Sequence, residues 1–144
     1  MKQIYDPLRK EWFNSSPEER VRQKWLEVMV GHLSFPKELI VVEKSLKALE
    51  HVPKNIALPD RRVDILAYTK KEGVLVPLLL IECKCIPLTE KALFQVQGYN
   101  EFIGAKYIAI ANETEIQVGF EDKEGAFSKI DFLPACPLLI KALG

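Results

Sequence analysis

Two carboxylates and one lysine interrupt two apolar segments of this chain, and their types and spacing suit hydrolytic chemistry. Asp64 lies in the segment 62–68, and Glu82 and Lys84 lie in the segment 78–84. Two carboxylates can hold a divalent cation, which lowers the pKa of a bound water and neutralises the charge that develops on a phosphate. A nearby ammonium can orient the attacking water or stabilise the transition state. The three residues therefore suit metal-assisted hydrolysis.

Both segments have the pattern of short β-strands, and pairing them would bring the three residues together. Side chains alternate across a strand, so Glu82 and Lys84 share one face. The polar residues 69–73 between the segments contain a glycine and are short enough to close a hairpin. An antiparallel pair then places Asp64 beside Glu82 and Lys84. Buried charge is costly unless it is paired or binds a metal.

Alternative interpretations of these residues remain open. A salt bridge between neighbouring strands would also pair Asp64, Glu82 and Lys84, although such pairs contribute little to stability. We favour the metal site because the charges interrupt an otherwise apolar run. Asp60 is a rival acid, since it follows Pro59 directly, but it is more typical of a turn.

Cys83 and Cys85 raise the separate hypothesis of a zinc site. Structural zinc normally takes four ligands, and only Cys136, His32 and His51 remain to complete a set. None of these residues has the paired spacing of zinc ligands. We therefore interpret the cysteines as free thiols.

The composition is that of an ordinary globular enzyme, which we interpret as one domain over residues 1–144 with an N-terminal arm over 1–14. The 144 residues are 48% hydrophobic and 28% charged, and the formal net charge is +0. Neutrality argues against an avid nonspecific coat for nucleic acid, but it does not exclude binding of nucleic acid through a local basic rim. We expect a cytoplasmic protein that does not enter membranes, because there is neither a long apolar run nor a signal-peptide core. We also expect no ATP site, because no GxxxxGK(S/T) loop is present.

The hydrophobic pattern places further elements around the two central segments. It predicts a helix over 17–33, a strand over 39–46, a helix over 90–103, strands over 106–111 and 115–120, and an apolar tail over 127–143 with a strand and a short helix. Ser16 and Glu19 form a capping box for the first helix. Thr89 caps the second helix and Gly104 ends it. The core side of the first helix is predicted to carry Val21, Trp25, Val28, Met29 and His32.

Six stretches of the chain, taken in order, resemble one known family. They are Tyr5-Asp6-Pro7-Leu8-Arg9-Lys10, Pro17-Glu18-Glu19-Arg20-Val21-Arg22-Gln23, Val42-Glu43-Lys44, Asp64, Glu82-Cys83-Lys84 and Gln95-Val96-Gln97-Gly98-Tyr99-Asn100. The series resembles the PD-(D/E)-x-K nucleases, and within them the N-terminal nuclease domain of type I restriction enzyme R subunits. The resemblance implies a mixed α/β (α+β) restriction-endonuclease-like core, with a central mixed sheet flanked by helices in the order α-β-β-β-α-β.

The resemblance also implies roles for individual residues. Asp64, Glu82 and the backbone carbonyl of Cys83 would bind Mg²⁺, with Mn²⁺ as a substitute, and Lys84 would be catalytic. Glu19 would approach the metal through water, although its role as a helix cap is the simpler explanation; Glu18 and Glu27 are lesser candidates. On the second helix, Gln95 and Tyr99 are four residues apart and would position the lysine or the DNA backbone. An ordinary amphipathic helix explains that pair equally well. A basic rim for phosphates would comprise Arg20, Arg22, Lys24, Lys44, Arg61 and Arg62.

We therefore expect a Mg²⁺-dependent endonuclease of restriction-modification type. Its substrate would be DNA, with RNA as an open alternative, and it would act alone, as a homodimer or with a separate motor or specificity protein. The alternative is a nucleic-acid-binding or scaffold module that keeps the nuclease fold but has little activity. The presence of Asp64, Glu82 and Lys84 favours the enzyme, whereas the neutral net charge is compatible with the binding or scaffold module.

Overall fold

The structure is a computed structural model that describes residues 2–53 and 55–142. A small antiparallel hairpin comes first, formed by β1 (Gln3–Asp6) and β2 (Glu11–Asn14). The strands of the main sheet are β3 (Ile40–Ser45), β4 (Arg62–Lys71), β5 (Val74–Cys83), β6 (Tyr107–Ala111), β7 (Ile116–Glu121) and β8 (Phe127–Ile130). The helices are α1 (Pro17–His32), α2 (Glu90–Tyr99) and α3 (Cys136–Lys141).

The main sheet is mixed, and its strands follow the order β3-β4-β5-β6-β7-β8. Only the β5–β6 pair is parallel among the described strands. A parallel pair needs a crossover connection, which α2 supplies. From α1 to β6 the order is α-β-β-β-α-β, so the predicted restriction-endonuclease-like core is confirmed.

A tight turn joins β4 to β5. Glu72 and Gly73 both have positive φ, 53° and 80° respectively. Two such residues form the type I′ turn, whose twist matches that of the flanking strands. The sequence predicted a hairpin closed by residues 69–73, whereas the strands continue to this two-residue turn. The added pairs are Thr69 with Val76, Lys70 with Leu75 and Lys71 with Val74.

Helix α1 begins and packs largely as the sequence predicted. The Glu19 N–H donates to the Ser16 hydroxyl at 3.1 Å, which confirms the N-cap, but the Glu19 carboxylate binds arginines instead of closing a capping box. His32 is exposed, so its predicted place in the core is wrong. Phe35 is buried beyond the helix end instead, because its N–H turns back to the Met29 carbonyl at 3.0 Å. The predicted core residues that are buried or partly buried are Val21, Trp25, Val28 and Met29.

Helix α2 is shorter than predicted. Thr89 caps it by accepting from the Ala92 N–H at 3.1 Å. The α-helix ends at Tyr99, and a 3₁₀ turn (Asn100–Phe102) replaces the predicted last turn. The Asn100 amide makes two hydrogen bonds to the backbone of Ala105, each 2.9 Å long, and thereby closes the helix end.

At both ends of the chain the structure can be compared with the segments expected from the sequence. Within the expected N-terminal arm over 1–14, the structure has the β1–β2 hairpin, in which the rings of Tyr5 and Trp12 meet edge to face at 5.3 Å between centroids. The predicted tail contains β8 and α3, while Leu143 at its end lies outside the described residues. No helix in the described part of the chain is long and apolar enough to span a membrane.

Strand β5 is buried on both faces of the sheet. Leu79 packs into the layer that contains α1, and Leu80 packs into the layer that contains α2. Both side chains are fully buried, whereas Leu75 near the start of the same strand is 47% exposed. The centre of β5 therefore joins the two layers of the core.

Truncation at either layer should therefore destabilise the protein strongly. We expect Leu79→Ala and Leu80→Ala each to lower the free energy of unfolding by about 2–5 kcal/mol, the range for large-to-small changes in a packed core. Leu75→Ala is the matched control and should cost less than about 0.5 kcal/mol. Urea unfolding measures all three. A small loss at Leu79 or Leu80 would show that one face of β5 is not packed as described.

Candidate active site

Strand register brings Asp64 to Glu82. The antiparallel pairing of β4 with β5 reaches Ile65 opposite Ile81, and the next step of the same register places Asp64 opposite Glu82. The Cys83 N–H donates to Asp64 Oδ2 at 2.8 Å. The two acids that the sequence singled out therefore lie at the same end of the sheet, where β4 begins and β5 ends.

The sheet is irregular at Asp64. Val63 and Ile65 are both fully buried, yet they pack in opposite layers of the core instead of sharing one face. Glu43 lies across from Asp64 on β3 and has a φ of 54°. A non-glycine residue rarely adopts this left-handed conformation, and such strain is concentrated at functional sites.

Glu82 carries an unsatisfied carboxylate oxygen. Its side chain is 12% exposed, and Oε1 accepts from Arg61 Nη2 at 3.1 Å. Oε2 is buried without a hydrogen-bond partner among the described residues. Burial, reinforced by the charges of Asp64 and Glu18, raises the pKa of Glu82 to about 7 against the opposing charges of Arg61 and Lys84. A buried oxygen in this state requires a proton or a cation, so Glu82 fits a metal ligand.

Arg22 is an internal counter-ion of the site and does not belong to a surface rim. Its side chain is 4% exposed. Nη2 donates to Asp64 Oδ1 at 2.8 Å and to Glu43 Oε1 at 2.7 Å, and Nη1 pairs with Glu19. Burial alone would lower the pKa of this guanidinium, but the hydrogen bond and the charge of Asp64, with Glu19 and Glu43, raise it. The Arg22 guanidinium is thus occupied by carboxylates inside the site, and its expected contact with phosphates stays a prediction.

Lys84 is placed beside this acidic group. Its backbone N–H donates to the Ala111 carbonyl at 2.8 Å and fixes the end of β5 against β6. The side chain is half-buried, and its charge lowers the pKa of Glu82. No ion pair or side-chain hydrogen bond holds the Lys84 ammonium within the described structure. A cation that is close to the carboxylates but not consumed by them suits the predicted catalytic role.

Arg61 contacts both Glu82 and the ring of Tyr99. The Arg61 guanidinium lies 4.3 Å from the centroid of the Tyr99 ring. Tyr99 is buried, and its hydroxyl has no hydrogen-bond partner among residues 2–53 and 55–142. Gln95 lies one turn earlier on α2, but its side chain is exposed and makes no hydrogen bond to the acids or to Lys84. A catalytic role for Gln95 stays a prediction.

The acids of α1 are arranged differently from the expectation. The Glu19 carboxylate pairs with Arg9 and Arg22 and accepts from Gln23 Nε2 at 3.0 Å. Glu19 thus reaches Asp64 through the Arg22 side chain. Glu18 is the α1 acid whose charge raises the pKa of Glu82. The exposed basic residues that remain for a rim are Arg20, Lys44, Arg61 and Arg62.

Two functional candidates escaped the sequence analysis as site residues. Glu43 shares Arg22 with Asp64, and Arg9 of the hairpin pairs with Glu19. The available signal for Glu43 was an acid inside the apolar run 39–46, which is the same signal that identified Glu82. The available signal for Arg9 was its place in the first stretch that resembles the family, but an arginine in a polar turn is typically solvated.

The described residues contain no group of three or more His, Cys, Asp or Glu side chains placed to hold a metal ion. Cys83 and Cys136 are buried free thiols, and Cys85 is an exposed one. A divalent ion at Asp64 and Glu82 would therefore complete its coordination with backbone oxygen, water and phosphate. Mg²⁺ commonly binds through one or two carboxylates in this way.

Comparison with protein families matches residues 17–134 to the family described as type I restriction enzyme R protein N terminus. The matched range contains every element of the main sheet together with Asp64, Glu82 and Lys84. The β1–β2 hairpin lies before it. No curated protein sequence matches the chain at a significant level.

Replacing Glu82 by glutamine should stabilise the metal-free protein at alkaline pH. Burial, with the charges of Asp64 and Glu18, raises the pKa of Glu82 from 4.5 to about 7. Between these values the folded state binds more protons than the unfolded state, so wild-type stability falls as the pH rises through the interval. Glu82→Gln escapes this loss. It should be more stable than wild type by about 1–3 kcal/mol at pH 8, and by much less at pH 4.

Urea unfolding in EDTA at the two pH values provides the measurement. Glu38→Gln is the control, because Glu38 is an exposed acid on the segment before β3. Mn²⁺ at pH 8 should raise the unfolding midpoint of wild type and of Glu38→Gln but not that of Glu82→Gln. An equal effect of Glu82→Gln at pH 4 and pH 8 would show that this carboxyl is not desolvated.

Proposed function

The chain belongs to the family of the type I restriction enzyme R protein N terminus, and from that premise we propose that it is a divalent-metal-dependent nuclease acting on DNA. The observation that carries the proposal is the buried Glu82 Oε2, which has no hydrogen-bond partner among the described residues and lies next to Asp64. The half-buried Lys84 stands beside this pair. The large majority of buried polar atoms are hydrogen-bonded in proteins, so a buried carboxylate oxygen without a partner is unusual for a purely structural salt bridge.

Asp64, Glu82 and the Cys83 carbonyl would hold the ion, Mg²⁺ in the cell and Mn²⁺ as a substitute. When bound, such an ion lowers the pKa of water and neutralises charge on the phosphate. Asp64 is oriented for this by Arg22 at 2.8 Å and by the Cys83 N–H at 2.8 Å. Each Asp64 oxygen accepts one hydrogen bond here and keeps a further lone pair for a cation.

Lys84 would act on the reacting phosphate. Phosphodiester hydrolysis joins a water oxygen to phosphorus, and the leaving oxygen departs with its bonding electron pair. The Lys84 ammonium can stabilise the negative charge that builds up on the phosphate oxygens and orient the attacking water. It is suited to this because its charge is not cancelled by an ion pair within the described structure.

The exposed basic residues near the acids would hold the DNA backbone. Arg61 is 42% exposed and stacks on Tyr99, so its guanidinium can leave Glu82 for a phosphate at small cost. Arg62, Lys44 and Arg20 are exposed on the neighbouring strands and on α1. Contacts of this kind depend on charge and carry no base sequence. Recognition of a sequence would come from a separate specificity or motor protein, or from a second copy of the chain.

A binding or scaffold module is the second candidate. The observation that favours it is that Arg22 pairs with Asp64 and Arg61 pairs with Glu82, so both acids have a protein counter-ion without any metal. The neutral net charge of +0 adds weight, since a free-standing nuclease usually needs some attraction to DNA. The two candidates differ in one measurable property, which is cleavage in the presence of Mg²⁺.

Lys84→Ala should remove cleavage while preserving binding. We expect the rate of supercoiled plasmid nicking in Mg²⁺ to fall by about 10²–10³, the usual effect of losing one transition-state contact. Affinity for the same DNA in Ca²⁺ should change by less than about twofold, because the ammonium is assigned to the transition state. Lys91→Ala, at an exposed lysine of α2, is the control and should cut like wild type. A wild-type protein that binds DNA but never cuts it would support the module.

Arg62→Ala should weaken DNA binding uniformly across sequences. Loss of one phosphate contact lowers the slope of log affinity against log salt by about 0.9. Lys70→Ala is the matched control, because Lys70 is an exposed cation at the opposite end of the same strand. Titrations in Ca²⁺ over a range of salt concentrations supply the slopes. Equal slopes for wild type and both variants would remove Arg62 from the interface.

A further inference from the structure

A chain of charged side chains runs from the N-terminal hairpin to the candidate site. The signs alternate along it, and each neighbouring pair is in contact. The chain passes through Asp6, Arg9, Glu19, Arg22 and finally Asp64 together with Glu43. Its first two members lie outside the matched family range 17–134, and its last members lie at the acids of the site.

Asp6 anchors the first end of this chain. It is fully buried, Oδ1 accepts from the Leu8 N–H at 2.8 Å, and Oδ2 pairs with Arg9 Nε at 2.5 Å. Burial raises the pKa of Asp6, but the hydrogen bonds from Arg9, Leu8 and Gln23 outweigh it and lower the pKa overall. Asp6 therefore stays ionised and holds Arg9 in one orientation.

Arg9 connects the hairpin to α1. Its Nη2 pairs with Glu19 Oε1 while its Nε stays on Asp6. The guanidinium lies 3.4 Å from the centroid of the Phe13 ring, which restricts the plane of the group. Glu19 is thereby given a cation on one oxygen, and its other oxygen pairs with Arg22.

Arg22 is shared by three acids, and this sharing makes Arg9 important. Arg22 Nη1 contacts Glu19, and Arg22 Nη2 contacts both Glu43 and Asp64. If Arg9 were absent, Arg22 would be the one cation left on Glu19 in the described structure, with the neutral Gln23 amide as its other side-chain donor, and Glu19 would compete for Arg22 more strongly. Because the Arg22 side chain is 4% exposed, water cannot easily compensate for a lost partner. Arg22 would then shift toward Glu19 and release Asp64.

We propose that Arg9 and Asp6 are positioning residues for Asp64, which act through Glu19 and Arg22. The catalytic meaning of this assignment rests on the proposed nuclease function. The position of Asp64 can be measured without activity, because its carboxylate accepts a hydrogen bond from the Cys83 N–H at 2.8 Å. The exchange of that amide hydrogen with solvent reports the place of the Asp64 carboxylate in the protein alone, without metal or DNA.

The experiment compares amide hydrogen exchange by NMR in the metal-free wild type and in Arg9→Met. Arg9→Met keeps the length of the side chain but removes the charge. We expect the Cys83 amide to exchange at least about tenfold faster, while the Leu80 amide in the middle of β5 is unchanged. Lys10→Met is the matched control, since Lys10 is exposed and follows Arg9 directly. It should leave the exchange of both amides at wild-type rates.

A second pair of variants tests the route of the effect. Glu19→Gln should leave Cys83 exchange at or below the wild-type rate, because it removes an acid that competes with Asp64 for Arg22. Adding Arg9→Met to Glu19→Gln should change the rate by less than about twofold, because Arg9 acts on Arg22 only through the Glu19 carboxylate. Arg9→Lys keeps the charge but reaches only one carboxylate at a time, so its Cys83 exchange should lie between wild type and Arg9→Met. If Arg9→Met does not fold, the comparison of Arg9→Lys with Lys10→Met decides in its place.

Several outcomes would overturn the assignment. They are an unchanged Cys83 amide in Arg9→Met and Arg9→Lys, equal acceleration of Cys83 and Leu80, or an acceleration by Arg9→Met that is just as large when Glu19→Gln is also present. In a cleaving wild type, Arg9→Met should lower kcat with KM nearly unchanged, since it displaces a site residue and removes no DNA contact. Faster Cys83 exchange in a protein that never cleaves would sustain the positioning and reject the nuclease.

Discussion

One buried guanidinium, that of Arg22, is shared by carboxylates from three separate elements: Glu19 of α1, Glu43 of β3 and Asp64 of β4. Removing one partner from such a group leaves an uncompensated buried charge, which typically costs about 3–5 kcal/mol. Arg22 therefore fixes the distance between the first helix and the edge of the sheet. It also leaves the group with more acids than cations, so that the surroundings of Glu82 favour a further positive charge.

The ion pair between Glu82 and Arg61 is the second charge interaction of the site. Glu82 has one oxygen on an exposed arginine and one buried oxygen with no hydrogen-bond partner in the described region. An ion pair with a partner that is 42% exposed is weak, because water competes for the guanidinium. In the proposed function, a divalent ion would replace Arg61 at Glu82, and a DNA phosphate would receive the released arginine. Tyr99 beneath Arg61 limits how far the guanidinium must move.

The sequence predicted the parts of the site that follow from local pattern. Alternation along two strands and a short turn were enough to place Asp64 beside Glu82, and the residues that begin and end helices predicted where α1 and α2 start. The pattern did not predict the burial of Arg22, because its bonds to Asp64 join residues that are 42 positions apart. An arginine on a helix is typical of a solvated surface until tertiary structure places acids around it.

Other differences have the same origin. His32 has the helical spacing of a core residue, but Phe35 is buried at the helix end instead. The role of Arg9 depends on the hairpin folding against α1, and neither segment indicates that contact alone. Glu43 was visible only as an acid in an apolar run, and its positive φ is known only from the backbone. Local sequence pattern therefore does not predict ion pairs between residues that are far apart in the chain.

Anomalous diffraction from crystals soaked in Mn²⁺ tests most directly whether this arrangement of charges is a metal site. We expect a peak within about 2–2.5 Å of oxygens from both Asp64 and Glu82, the distance expected for a hard divalent cation. Arg61 should have moved from Glu82, and Arg22 should still contact Asp64. Well-diffracting crystals at saturating Mn²⁺ with no peak between these carboxylates, and with Arg61 still on Glu82, would contradict this expectation.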